Sequence, residues 1–119
     1  MKNKILICDD EENIRETIKL VLGDHYELFL VASGEQAIHT LEHNKDIKLI
    51  LMDIKMPKVS GLDVLSEIKS KHPHVKIIMV TGYRSVETAA EASRLGASGY
   101  LVKPFKSQDI LEIVRKNLG

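Results

Sequence analysis

The sequence predicts a three-layer α/β fold, a doubly wound parallel sheet of five strands with helices on both faces. Short apolar runs of four to six residues alternate five times with segments whose apolar residues recur at helical spacing. The run at residues 49–52 is apolar at every position, which is typical of a strand that helices cover on both faces. Five successive strand–helix units indicate parallel strands joined by right-handed crossovers.

The first two units follow each other closely. Residues 5–8 are predicted as the first strand, and a helix over 12–22 follows, with apolar residues at i, i+4, i+7 and i+8. Residues 26–31 are predicted as the second strand. Ser33 then opens the second helix through a capping box, in which its hydroxyl accepts an early helix N–H while Gln36 reaches back.

The last three units repeat the pattern. Their strands are predicted at 49–52, 77–80 and 100–102. Gly96 is well placed at the C terminus of the fourth helix. Serines able to cap or open a helix stand at the start of each remaining helix, at Ser60, Ser85 and Ser107.

Length, charge and cysteine content restrict the class of protein. The 119 residues are the usual size of one domain, so we expect a single domain over residues 1–119. Lys and Arg number 17, as do Asp and Glu, and this net charge of zero disfavours direct binding of nucleic acid. The apolar runs are far too short to span a membrane. Cys8 is the only cysteine, which excludes an internal disulfide, and we expect a cytoplasmic protein.

Polar residues stand where the predicted strands end. Asp9 and Asp10 follow the first strand, Asp53 the third, Thr81 the fourth and Lys103 the fifth. In open parallel sheets these ends line the ligand crevice, so the five side chains are expected at one edge. Each has an ordinary explanation by itself, as a helix cap, a turn residue or a solvated lysine. Their joint occurrence at one edge favours a functional site.

Such a cluster of acids needs a cation. Two carboxylates about 4 Å apart repel by roughly 4 kcal/mol at an effective dielectric near 20. An oxygen-only site with a few carboxylates suits Mg²⁺. A divalent metal beside a carboxylate, a hydroxyl and an ammonium is suited to phosphoryl transfer, with a carboxylate as the nucleophile.

The chain resembles the receiver domain of two-component response regulators over essentially its whole length. The resemblance implies the flavodoxin-like, chemotaxis-regulator-like fold with strand order 2-1-3-4-5. The matching pieces are Ile-Leu-Ile-Cys-Asp-Asp-Glu at 5–11, Asp-Ile-Lys-Met-Pro at 53–57 with Gly61, Val-Thr-Gly-Tyr at 80–83, Gly-Ala at 96–97 and Tyr-Leu-Val-Lys-Pro-Phe at 100–105.

The resemblance implies a phosphorylation and metal site. Asp53 corresponds to the aspartate that accepts the phosphoryl group and also binds the metal. Asp10 corresponds to a direct ligand of Mg²⁺ and Asp9 to one that acts largely through water. The backbone carbonyl of Lys55 is the expected further ligand. Mn²⁺ is expected to substitute for Mg²⁺.

The resemblance also implies a switch. Thr81 corresponds to the hydroxyl that binds the phosphoryl group, Lys103 to its charge partner, and Tyr100 to the aromatic residue whose rotamer follows Thr81. The peptide bond before Pro104 is cis in the family. Tyr83, together with Lys55, occupies a position that tunes how long the phosphoryl group survives.

The partners implied are a histidine kinase or a histidine phosphotransfer protein and, for output, a downstream protein or a fused domain. A phosphorylation-dependent homodimer is also possible for this family. The resemblance places kinase docking on the exposed side near Asn13, Ile14 and Arg15, with Pro104 and Phe105. The sequence leaves open whether the chain is a stand-alone regulator or a domain of a longer protein.

Other functions remain open from the residues alone. Haloacid-dehalogenase-like phosphatases use similar groups but need a second acid two residues after the nucleophile, where this chain has Lys55. A flavodoxin-like FMN-binding protein needs a Ser-, Thr- and Gly-rich loop after the first strand, whereas residues 9–12 are all acidic. A metal-free interaction module would have no need of the polar residues at the strand ends.

Overall fold

The computed structural model describes residues 2–118, over which strands and helices alternate. The elements in chain order are β1 (Lys4–Cys8), α1 (Glu12–Leu22), β2 (Glu27–Val31), α2 (Gly34–His43), β3 (Ile47–Met52), α3 (Gly61–Lys71), β4 (Lys76–Thr81), α4 (Val86–Arg94), β5 (Gly99–Val102) and α5 (Ser107–Leu118). The strand ends differ from the predicted ones by at most two residues.

The five strands form one parallel sheet in the order β2-β1-β3-β4-β5, which confirms the predicted fold class and strand order. In the centre of the sheet Cys8 pairs with Val31 on one side and with Met52 on the other. On the next strands Met52 pairs with Met79, and Thr81 pairs with Val102. The carboxyl ends of the strands therefore lie side by side.

The two faces of the sheet bury separate cores, because successive strand side chains point to opposite faces. Ile5 and Ile7 pack with residues of α1 and α5, whereas Leu6 and Cys8 pack with residues of α2, α3 and α4. Full burial of one Leu or Ile side chain stabilises a fold by about 1.5–3 kcal/mol. These two cores fix the helices against the sheet and position the strand ends.

The predicted helix caps are present, with one difference. The hydroxyls of Ser33, Ser60 and Ser85 each accept a hydrogen bond from a main-chain N–H in the first turn of their helices. The side chain of Gln36 reaches back as predicted, but it accepts from the N–H of Ala32 and not from that of Ser33. The helix therefore also fixes the residue that leaves β2.

Two further sequence predictions concern the helix ends. Gly96 has φ 108°, a left-handed conformation that favours glycine, as predicted for the end of α4. Ser107 is the first residue of α5, and Asp109 accepts a hydrogen bond from the N–H of Lys106 just before it. Within residues 2–118, none of the helices combines the length and the apolar character that crossing a bilayer would require.

Candidate functional site

The carboxyl ends of the central strands bring several of the predicted polar residues to one edge of the sheet. Asp9 follows β1, Asp53 follows β3, Thr81 ends β4 and Lys103 follows β5. Asp9 and Asp53 are 2% and 3% exposed, and Thr81 is completely buried. Asp10 lies at the surface beside them. The edge thus combines three buried polar side chains with one exposed carboxylate.

Four carboxylates converge at this edge. One oxygen each of Asp9, Asp10, Glu11 and Asp53 lies within 4.8 Å of the others. Sequence reasoning assigned roles to three of these acids and gave none to Glu11, although the acidic run from Asp9 to Glu12 was a visible signal. Repulsion among four carboxylates this close favours any cation that can enter.

Lys103 supplies one such cation from within the chain. Its Nζ lies 2.8 Å from Asp9 Oδ2, 3.1 Å from Asp53 Oδ2 and 3.3 Å from Glu11 Oε1. The peptide bond between Lys103 and the exposed Pro104 is cis. Four carboxylates against one ammonium leave a formal charge of −3, so the cluster is still strongly acidic.

Burial changes the acid–base behaviour of the two central partners. Burial raises the pKa of Asp9, although hydrogen bonds from Lys103 and from the Glu11 N–H act in the opposite direction. Burial by itself would lower the pKa of Lys103, but the hydrogen bonds to Asp9 and Asp53 and the charges of these two carboxylates together outweigh it, and the pKa of Lys103 is raised. The lysine therefore stays charged and favours the ionised form of Asp9.

The donor set fits a hard divalent cation. The converging ligand atoms are all carboxylate oxygens, which Mg²⁺ prefers to sulfur or nitrogen. The thiol of Cys8 contacts the carbonyl oxygen of Ser33 at 3.3 Å and the sulfur of Met56 at 3.6 Å. Burial, with a smaller effect of the nearby carboxylates, raises the pKa of Cys8 to about 12, so no thiolate is available there.

The main chain around Asp53 is tightly packed. The Asp53 N–H donates to the carbonyl of Cys8 at 3.0 Å, and the Lys55 N–H donates to Asp53 Oδ1 at 3.3 Å. Gly61 at the start of α3 donates its N–H to the carbonyl of Ile54 at 2.7 Å. A Cβ on Gly61 would lie 1.9 Å from the Asp53 carbonyl oxygen, so only glycine allows this approach.

Thr81 and Tyr100 both contact the main chain of Tyr83. Thr81 Oγ1 accepts from the Tyr83 N–H at 3.4 Å, and the Tyr100 hydroxyl donates to the Tyr83 carbonyl at 2.9 Å. Burial raises the pKa of the Tyr100 hydroxyl, which therefore remains a donor. The buried threonine at the site is thus linked through one residue to an aromatic side chain on β5.

A cleft of about 400 Å³ opens over the cluster. Lys55 and Tyr83, both exposed, stand at its walls. Its lining residues are Asp10, Glu11, Asp53, Lys55, Gly82, Tyr83 and Lys103. A larger groove of about 700 Å³ lies at the opposite end of the sheet, where its lining includes Lys19 and Lys48. Three of the four clustered carboxylates, those of Asp10, Glu11 and Asp53, line the smaller cleft.

The fold is a doubly wound, five-stranded parallel α/β domain with an acidic cluster at the carboxyl edge of its sheet. The profile of the response regulator receiver domain matches residues 5–115. The chain therefore belongs to the response regulator receiver domain family, a component of two-component signalling.

Similar proteins differ greatly in length. Response regulator protein FleR of Pseudomonas aeruginosa is 35% identical over 119 residues, an alignment that covers 98% of this chain and 25% of FleR. Sporulation initiation phosphotransferase F of Bacillus subtilis is 32% identical over 119 residues, with 99% of this chain and 95% of that protein covered. The chain thus spans about a quarter of FleR and of the regulatory protein AtoC of Escherichia coli.

Solved structures agree with the sequence comparison. A CheY-like receiver domain protein from Methanospirillum hungatei superposes with a TM-score of 0.93 at 34% identity, covering 99% of this chain and 94% of that one. A DrrB receiver domain described as BeF3-activated superposes with a TM-score of 0.89 at 25% identity, covering 99% and 98%.

Proposed function

We propose that residues 1–119 form a single receiver domain that accepts a phosphoryl group on Asp53 from a histidine kinase or a histidine phosphotransfer protein. The observation that carries the proposal is the convergence of four carboxylates and the Lys103 ammonium at one open cleft. The family and the BeF3-activated relative support it.

In the proposed reaction, an Asp53 carboxylate oxygen attacks phosphorus on the side opposite the donor imidazole. The new O–P bond forms as the P–N bond breaks, and the bonding electron pair returns to the imidazole nitrogen. The product is an acyl phosphate, which water later cleaves. Lys103, already 3.1 Å from Asp53, is placed to neutralise charge on the phosphoryl oxygens.

Mg²⁺ is the proposed cofactor, with Mn²⁺ as a substitute. Asp9, Asp10, Asp53 and the backbone carbonyl of Lys55 would hold it. When bound, such an ion neutralises phosphoryl oxygens and orients the donor. Glu11, whose carboxylate belongs to the same cluster, adds further negative charge.

We propose that Thr81 and Tyr100 convert phosphorylation into a change of shape. New phosphoryl oxygens would attract Thr81, and both Thr81 and Tyr100 are tied to the main chain of Tyr83. Moving a two-state equilibrium from mostly off to mostly on takes about 3–5 kcal/mol. One or two charge-assisted hydrogen bonds, at about 1.5–3 kcal/mol each, are of that size. The surface formed by α4, β5 and α5 would change.

Lys55 and Tyr83 are proposed to set the lifetime of the phosphoryl group. Both side chains stand at the walls of the cleft and are placed to shield Asp53 from water. We therefore expect slow autodephosphorylation. Lys55→Asn and Tyr83→Ala are expected to speed it, and an unchanged decay rate in both would contradict the proposal.

The output is proposed to be a downstream protein or a fused domain. FleR, about four times longer than its aligned region, is an example of a response regulator with further sequence. A phosphorylation-dependent homodimer and a cytoplasmic location remain predictions from the sequence.

The test is incubation with acetyl phosphate and Mg²⁺, followed by intact mass measurement. A gain of one phosphoryl group is expected in the wild-type chain and none in Asp53→Asn, which keeps the shape of the side chain but removes the carboxylate. Uptake by Asp53→Asn would contradict the assignment of the acceptor. No uptake from any small donor or phosphohistidine protein would favour a metal-free interaction module.

A further inference from the structure

Arg15 reaches back from the first turns of α1 to the strand end that carries the acidic cluster. Its Nη1 donates a hydrogen bond to the carbonyl oxygen of Asp9 at 2.8 Å, in a partly buried contact. The family resemblance placed Arg15 on an exposed docking side. In the structure the residue is only half exposed, and its guanidinium contacts the main chain of the site.

Asp9 is thereby held at four points. Its N–H donates to the carbonyl of Val31 at 3.1 Å, and its Oδ1 accepts from the N–H of Glu11 at 2.9 Å. Its Oδ2 lies 2.8 Å from Lys103 Nζ, and its carbonyl accepts from Arg15. The first three contacts fix the strand end and the carboxylate, whereas the fourth fixes the peptide unit that leads to the next acid.

The peptide unit between Asp9 and Asp10 sets the orientation of Asp10. Because the peptide group is planar, a guanidinium that fixes the Asp9 carbonyl also fixes the direction in which Asp10 leaves the strand. α1 begins two residues later, and its N-cap residue Glu11 makes no hydrogen bond from its side chain to the helix. The hydrogen bond from Arg15 to the Asp9 carbonyl therefore connects α1 to the end of β1 across this short turn.

We infer that Arg15 is a positioning residue for the divalent cation site, acting through the Asp9–Asp10 peptide to aim the Asp10 carboxylate at the cluster. The inference rests on the proposed function. It assigns Arg15 no contact with the cation or with the phosphoryl group.

The direction of the effect separates positioning from simple charge. Arg15 is a positive charge near a site for a cation, so removal of the charge alone would tighten Mg²⁺ binding. Loss of positioning would weaken it, and residues that orient metal ligands typically contribute 10–100-fold in metal affinity. Arg15→Met is therefore expected to weaken Mg²⁺ binding by about 10-fold. Arg15→Lys keeps the charge and one donor but not the planar fork, and about 3-fold weaker binding is expected.

The experiment is titration of Mg²⁺ into the purified chain, by calorimetry and by the NMR shifts of the amides of residues 9–11. Lys19→Met is the matched control, because it removes a positive charge from an exposed position of the same helix. Thermal unfolding of every variant verifies the fold. Should Arg15→Met fail to fold, Arg15→Lys decides the matter.

The expected result is weaker binding in the Arg15 variants and wild-type binding or slightly tighter binding in Lys19→Met. Folded Arg15→Met or Arg15→Lys that binds Mg²⁺ as tightly as the wild type would overturn the inference. A wild-type chain that takes up no Mg²⁺ at millimolar concentrations would instead overturn the proposed function.

Discussion

Gly61 offers the sharpest test of how the acceptor is held. A Cβ at this position would lie 1.9 Å from the Asp53 carbonyl oxygen, 2.8 Å from the Asp53 carbonyl carbon and 2.7 Å from Ile54 Cα. Non-bonded heavy atoms prefer separations of about 3.5 Å. Gly61→Ala would therefore require a shift of more than 1 Å, by about this measure, between α3 and the main chain after β3.

The free energy of unfolding should fall. Replacing a helical glycine with alanine ordinarily gains up to about 1 kcal/mol. Overpacking typically costs about 1–3 kcal/mol, and the upper end applies here because every close atom belongs to the backbone. We expect Gly61→Ala to lose about 2 kcal/mol net. Displacement of the acceptor by about 1 Å should also lower the rate of phosphorylation by about 100-fold.

Urea unfolding followed by circular dichroism measures the first effect, and acetyl phosphate labelling followed by mass spectrometry measures the second. Gly82→Ala is the control for stability, because a Cβ there would have no atom within 4 Å. Its unfolding free energy should stay within about 0.5 kcal/mol of the wild type. A Gly61→Ala variant as stable and as readily phosphorylated as the wild type would refute the packing argument.

Three further predictions concern other residues. Lys103→Met leaves the buried Asp9 and Asp53 without their ammonium, so we expect the free energy of unfolding to fall by about 3 kcal/mol in divalent-free buffer. Added Mg²⁺ should stabilise this variant more than it stabilises the wild type. Equal unfolding free energies of the two proteins in denaturant titrations would contradict this. Burial, and after it the charge of a nearby lysine, lowers the pKa of His72 below its usual 6.5, so the unfolded chain takes up a proton before the folded one does and stability declines as the pH falls below that value. His72→Gln should flatten the dependence of the unfolding free energy on pH between 7 and 5. His25→Gln, at an exposed position that does not contribute to the shift, should not; the prediction fails if both variants keep the wild-type slope. Lys58 has φ 71°, a left-handed conformation that is strained for lysine but not for glycine. Lys58→Gly should therefore stabilise the chain by about 0.5–1 kcal/mol, after the greater entropy of glycine in the unfolded chain is counted. A lower melting midpoint in this variant would show that the backbone at Lys58 is not strained.

The fold was predictable because each level of the sequence pointed to the same arrangement. The apolar run of β3 and the serines before α2, α3 and α4 are local signals, and the structure uses them at those positions. Parallel pairing then places the strand ends at one edge whatever the details of the loops. The presence of Asp9, Asp53 and Lys103 at one place follows from topology alone.

The parts that sequence reasoning missed depend on distances across loops. Glu11 is a fourth acid of the cluster, but the acidic run could equally have been a solvated helix start. Arg15 looked like a surface residue of α1, because helical spacing does not reveal that a long side chain turns back to the preceding strand. The link of Thr81 and Tyr100 through the main chain of Tyr83 also has no signature in the sequence.

The ammonium of Lys103 reduces the need of the folded domain for a divalent ion. This counterion offsets part of the charge of the two buried acids, so the chain is expected to fold in divalent-free buffer and to remain unphosphorylated there. Folding of the domain thus draws on the Lys103 ammonium, whereas phosphorylation draws on the proposed Mg²⁺.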